Sequence, residues 1–177
     1  MIYKETIPSN IPEGVWDEKS CVRRQSGFTI DQSKLPATLK WLSKGAPLAL
    51  NSNGKVVLCK TAKVYENATE SATEIKVDKN HNFMVGDTIA GSAISAIDSS
   101  NENFDKFTIA ELAEKADKGA VLDASNVVGL NYATVELDGM QSCTPTLQAY
   151  EIEEDTLPYY LNDAIKTALT SRHAFKL

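Results

Sequence analysis

The stretch KTAKVYENATESATEIKVDKNHNFMVGDTIAG, residues 60–91, decides the fold of this chain. Ala62 and Val64 share one parity, Ile75 and Val77 share another short run, and polar residues fill the alternate positions. Side chains that alternate in this way line opposite faces of a strand, so the stretch predicts half-buried β-strands. ENATESA predicts the polar loop between them. Phe83 and Val85 share a parity before Gly86 and Asp87, which predict a tight turn: glycine tolerates the backbone angles, and aspartate caps its own turn. TIAGSAISAID then reads as another, closely packed strand. The expectation is a β-meander or a segment of a small barrel.

Upstream, Asn51-Ser52-Asn53-Gly54 precedes KVVLCKTAKVY. Asn and Gly accept positive φ, so this predicts a hairpin turn into a strand that buries Val56 and Leu58 and continues through Ala62 and Val64. Pro36 and Pro47 limit any helix between them. Residues 1–30 read as an extended arm punctuated by Pro8, Pro12 and Gly14. Ile7, Ile11, Val15, Trp16 and Phe28 are costly to leave in water. The arm is therefore expected to dock, either on a neighbouring subunit or on its own domain.

Downstream, Thr108-x-x-Glu111 has the form of a capping box, followed by Leu112, Ala113 and Ala116 and stopped by Gly119, which predicts a short inserted helix. β character returns through Val127, Leu130, Tyr132, Val135 and Leu137. LPYYLNDAIKTALTSRHAFKL reads as a last helix with Pro158 in its first turn and Leu161, Ile165, Ala168 and Leu169 on one stripe. That stripe is a core face by default and an oligomer seam (Leu161, Ile165, Leu169) as the sharper reading. RHAFKL is free to pair as a strand or reach a partner. The organisation expected is an arm at 1–30, a mainly β domain at 31–154, and a C-terminal helix and tail at 155–177.

The totals narrow the function classes. A 42% hydrophobic share over 177 residues supports a sizeable core. With 24 acidic against 18 basic residues the net charge is −6, which disfavours nucleic acid as the main partner. Arg23 and Arg24 make only a small basic patch. No run of eighteen apolar residues predicts a membrane span, and the N-terminus lacks the pattern of a signal peptide. Three scattered cysteines, Cys21, Cys59 and Cys143, without a CxxC, predict reduced thiols. The sequon at Asn67 then marks no more than a polar loop.

Catalytic chemistry finds no motif. His81 and His173 stand in neither HExxH nor GxSxG context. Gly54-Lys55 lacks the remaining residues of a phosphate loop. The oxygen-rich run from Asp98 to Asp105 lacks the central glycine and final glutamate of an EF-hand loop, and reads as an Asx-rich turn. Glu153-Glu154-Asp155 reads as a solvated linker. No enzyme, metal or cofactor is expected. Convergence of Asp98, Asp105 and His81 would reopen the question.

Three runs carry a resemblance: KGAPLALNSNGKVVLCKTAKV, ATEIKVDKNHNFMVGDTIAG and SAIDSSNENFDKFTIAELAEKADKGAVL. In order and spacing they resemble the capsid-decorating proteins (head fibre, auxiliary capsid or head decoration proteins) of tailed phages of Bacteroides, crAss-like phages included. The shared pieces are Lys44-Gly45-x-Pro47-Leu48, Lys60-Thr61-Ala62-Lys63-Val64 and Val85-Gly86-Asp87-x-Ile89. The match covers residues 42–122, and more loosely PTLQAYEI and the C-terminal helix. The resemblance implies a structural virion protein, made in the host bacterial cytoplasm and carried on the outer capsid surface. Its expected partners are the major capsid protein, other capsid accessory proteins, and itself as a homo-oligomer, a trimer before a dimer. Within that reading Ile7, Ile11, Val15, Trp16, Arg23 and Arg24 are the expected capsid contacts: apolar burial on the shell, and arginines for capsid carboxylates. The alternative is a head fibre that binds a host-surface or mucosal glycan, for which Tyr159 and Tyr160 would need to share an exposed patch.

Overall fold

The computed structural model describes residues 14–25, 27–122, 127–139 and 141–176. In chain order its strands are β1 (Val22–Arg23), β2 (Phe28–Thr29), β3 (Trp41–Leu42), β4 (Pro47–Leu50), β5 (Val56–Leu58), β6 (Ala62–Lys63), β7 (Glu74–Asp78) and β8 (Thr88–Ile89). There follow β9 (Ser92–Asp98), β10 (Phe104–Ile109), β11 (Val121–Leu122), β12 (Val127–Leu130), β13 (Val135–Glu136), β14 (Ser142–Cys143), β15 (Thr146–Ile152) and β16 (His173–Phe175). One α-helix, α1 (Asp163–Leu169), lies between the last two strands. The protein is mainly β, as expected.

The hairpin at residues 51–54 forms as read. Asn51 Oδ1 accepts from the N–H groups of Asn53 and Lys55, and β4 pairs antiparallel with β5 in the register Leu48↔Leu58 and Leu50↔Val56. The strand beyond it is not continuous. β5 and β6 belong to different sheets, although Val56, Leu58, Ala62 and Val64 are all buried as their parity predicts. The chain leaves the β4–β5 hairpin, builds a lobe, and returns as β12, which pairs with the other edge of β4.

That lobe has its own core of Ala62, Val64, Ile75, Val77, Phe83, Ile89, Ile94, Phe107, Ile109, Leu112 and Ala116. Its antiparallel sheet runs β7-β10-β9-β8, with β11 paired to β6 beside it. TIAGSAISAID is a hairpin and not one strand: Ala90 and Gly91, both at positive φ, turn β8 into β9. Phe83 is buried, while Val85 is 62% exposed, so their shared parity does not make a strand. Residues 83–87 form a turn instead, closed by Asp87 Oδ2, which accepts from the N–H of Met84.

The capping-box helix does not form. Thr108 lies inside β10, where Asp105, Phe107 and Ile109 alternate inward with Phe104, Lys106 and Thr108 less buried. Fully burying Phe107 alone is worth about 2–3 kcal/mol, more than a cap contributes, so the period-two pattern wins over the local signal. Glu111 accepts from Ser71 Oγ instead of capping. The segment that follows is held by cross-chain backbone bonds, Leu112 N–H to Ala72 O and Ala116 N–H to Ala68 O.

The remaining chain forms two further apolar clusters. One joins Ile30, Leu35, Leu42, Leu48, Val56, Leu58, Cys143 and Tyr159. The other joins Val15, Trp16, Leu130, Ala149, Ile152, Leu157, Leu161, Ile165 and Leu169. The described residues between 14 and 30 therefore dock on the protein's own domain. β1 pairs with β15 and β2 with β14. α1 starts at Asp163, later than Pro158 suggests, because Asn162 is its N-cap and accepts from the N–H of Ile165 at 2.9 Å. β16 then pairs parallel with β15, so the tail is used within the chain.

Candidate functional site

The residues expected to contact a capsid part company. Val15 and Trp16 are 0% and 6% exposed. The N–H of Asp17 donates to Tyr150 O and that of Glu153 to Val15 O, so this segment lies along the end of β15. Lys44 stacks over the Trp16 ring at 4.9 Å and is ion-paired with Glu18. Both apolar groups are thus consumed by the protein's own core, which corrects their reading as shell contacts. Ile7 and Ile11 lie outside the described residues. Leu161, Ile165 and Leu169 are likewise buried against Leu130 and Ile152, so the stripe is a core face and not a free seam.

Arg23 and Arg24 remain. Neighbouring residues on a strand point to opposite faces, and the two arginines separate accordingly. Arg23 is exposed on the sheet-edge strand β1, with its guanidinium carbon 5.4 Å from the centre of the Tyr132 ring. Arg24 turns inward, half-buried, and donates through a terminal nitrogen to Val128 O at 3.4 Å.

The two histidines are each tied into the fold. His81 Nδ1 accepts from the N–H of Phe83 at 3.2 Å, which leaves Nε2–H to donate to Asp105 Oδ2 at 2.8 Å. Lys79 donates to the other oxygen of Asp105 at 2.6 Å. Burial lowers the His81 pKa, against the opposing pull of Asp105. Burial also acts to raise the Asp105 carboxyl, but hydrogen bonds from Lys79, His81 and Ser99 outweigh it and the net shift is downward. Asp98 does not join them; its carboxylate accepts from the N–H of Ser100. Among the described residues no group of three or more His, Cys, Asp or Glu gathers as metal ligands. His173, 6% exposed, donates from Nδ1 to Leu169 O and accepts at Nε2 from Thr146 Oγ1, which in turn accepts from the N–H of Leu130. Burial lowers its pKa as well.

Tyr159 and Tyr160 do not share an exposed patch. Tyr159 is 9% exposed and bonded to Asn82, and burial raises its pKa. Tyr160 donates its hydroxyl to Asp78 Oδ2 at 3.1 Å, and its carbonyl accepts from Thr61 Oγ1 at 2.6 Å. Together they bolt the C-terminal segment to the inserted lobe. A cleft of about 430 Å³ beside them carries Lys63, Lys166, Glu154 and Asp155, and its Lys166 and Glu154 are paired with each other at 2.6 Å.

The motifs around Gly45, Lys60 and Asp87 converge on two knots. Lys60 is ion-paired with Asp87, joining the second piece to the third. Gly45, at φ +82°, lies under Leu157, Val15 and Pro158, so the first piece meets two segments distant from it in sequence. The same turn is pinned by Asn131, which is fully buried. Its amide nitrogen lies 3.0 Å from the carbonyl oxygens of Leu42 and Ser43, and its backbone exchanges hydrogen bonds with Gly45 and Ala46. Sequence reading missed Asn131, because beyond the nearby Ala133 carbonyl its amide reaches carbonyls 88 and 89 residues away, and no local pattern marks that. Compared with family models, with curated proteins and with solved structures, the chain finds no match.

Proposed function

We propose that this chain is a structural virion protein that binds the outside of an assembled phage capsid and stabilises or decorates it. The observation that carries the reading is the resemblance of residues 42–122, in order and spacing, to capsid-decorating proteins of Bacteroides tailed phages. The positions of the shared pieces are consistent with a fold signature: Lys60 bonded to Asp87, and Gly45 beneath Val15 and Leu157. The acidic surface suits a protein displayed in many copies, and Arg23 on an exposed edge strand is available for a capsid carboxylate. In this reading the protein assembles as a trimer matched to local lattice symmetry.

The test is co-sedimentation with capsids stripped of accessory proteins. Val15 and Trp16 belong to the core, so the informative truncation removes residues 1–13 and spares them. Binding by the full chain that is weakened by Arg23→Glu supports a shell contact through β1. Binding lost only on truncation moves the anchor to residues 1–13. A folded full chain that stays in the supernatant overturns the capsid reading.

A further inference from the structure

A second cleft, of about 370 Å³, opens where β12, β15 and the end of α1 meet. Arg24, Arg172, Ser171 and His173 give it polar walls, and Val128 and Leu147 are among its apolar ones. Two guanidinium groups border it, and no carboxylate is found among the described residues that line it. In a protein of net charge −6 two arginines on one cleft, with no carboxylate among its described lining residues, are unexpected. The contrast with the 430 Å³ cleft is direct, since that one pairs its lysine with its own glutamate.

Arg24 supplies the second observation. Its backbone N–H donates to Pro145 O at 3.0 Å, and one terminal nitrogen donates to Val128 O. Its Nε is buried and has no hydrogen-bond partner. Buried donors are almost always satisfied, so the unmatched Nε leaves this guanidinium one acceptor short, and a ligand would meet Arg24 through the part of it that lines the cleft. His173 cannot be that acceptor: Thr146 and Leu169 occupy both its ring nitrogens.

We propose that this cleft binds an organic carboxylate with an apolar flank, as a peptide presents at its C-terminal end or on an acidic side chain. A guanidinium gives a carboxylate charge-assisted N–H donors of fixed, planar geometry. Arg172, exposed at the rim, adds the second positive charge. The apolar walls give the ligand's hydrocarbon part something to bury against, which a bare inorganic anion cannot use. The site does not depend on the capsid reading, because the chemistry is the same whichever molecule presents the carboxylate.

The test is a titration of the uniformly ¹⁵N-labelled full chain, followed by amide shifts, with three probes: N-acetyl-leucine, N-acetyl-leucine amide and inorganic phosphate. The expected result is saturable shifts at Val128, Arg172 and His173 with N-acetyl-leucine, little or none with the amide, and weaker binding of phosphate. Arg24→Gln and Arg172→Gln should each raise the Kd about tenfold or more, the loss of a charge-assisted pair. Arg172 is exposed, so its variant keeps the fold even where Arg24→Gln does not. The proposal is overturned if the amide binds as well as the acid, if phosphate binds more tightly, if the folded Arg172 variant binds unchanged, or if no probe shifts these amides.

Discussion

Gly45 faces Val15 where the segments around Val15 and Leu157 meet: a Cβ placed on Gly45 would lie 3.1 Å from Val15 Cγ1 and 3.0 Å from Leu157 Cδ2. The backbone there is at φ +82°, which side chains disfavour. Gly45→Ala therefore combines backbone strain with overpacking and is expected to cost about 2–4 kcal/mol. Gly129→Ala should be worse, because its Cβ would stand 2.2 Å from the carbonyl oxygen of Thr146, and backbone cannot step aside. Loss of more than about 4 kcal/mol, or failure to fold, is expected. Urea denaturation of the two variants measures both. A Gly129→Ala variant of unchanged stability would contradict the close approach of β12 to β15.

Trp16→Ala and Ile165→Ala should each destabilise the protein, by about 3–5 and 2–5 kcal/mol. Both side chains belong to one cluster within a single chain, so the loss should be the same at every protein concentration. Thermal melts of both variants across a wide concentration range make the check. A deficit that shrinks as concentration rises would mean that these residues also meet a second copy.

Acid should weaken the fold in two stages. His81 and His173 have pKa values lowered by burial, so below the ordinary value of about 6.5 the unfolded chain takes up more protons than the folded one. Stability is then complete above that pH and falls as pH drops through the interval down to the folded values. Asp105, held below its ordinary value by Lys79 and His81, adds a further loss below about pH 4. Melting temperature against pH should show both, and His81→Asn should flatten part of the first. A melting temperature that rose on acidification from pH 7 to 5 would reverse the sign and exclude neutral, buried imidazoles.

The thiols report on the docking of the N-terminal segment. Burial, with Glu18 nearby, pushes the Cys21 thiol up to about 11, and burial pushes Cys143 up to about 12. Both should alkylate slowly in the native protein at pH 8 and rapidly in urea, since the thiolate is the reactive form. Rapid labelling of native Cys21 would mean that residues 15–21 leave their place against β15.

Local patterns were legible wherever a few neighbouring residues settle the outcome. Asn51 and Gly54 specify a turn, the parities of Val56–Leu58 and of Ile75 with Val77 specify buried strand faces, and Ile165 and Leu169 specify a buried helix face, although Leu161 lies before the helix and Ala168 is exposed. Each needs only the period of a strand or a helix and the cost of leaving an apolar group in water. Local reading failed where a signal competed with a distant partner. The Thr108 and Glu111 pair has the form of a helix start, but Phe107 and Ile109 gain more by closing a sheet against β7 and β9.

The candidate sites divide in the same way. That Trp16 and Arg24 would want a partner follows from their chemistry alone; which partner each finds does not. Trp16 meets Lys44 and the C-terminal cluster, and Arg24 comes to border a cleft with Arg172. Composition and short-range pattern determined that this chain is a mainly β protein with buried strand faces and one C-terminal helical stripe. Only the tertiary structure decided that β5 and β12 both pair with β4, that Val15 and Leu157 close over Gly45, and that two arginines far apart in sequence border one cleft. The energy of those contacts is earned between segments that no local window brings together.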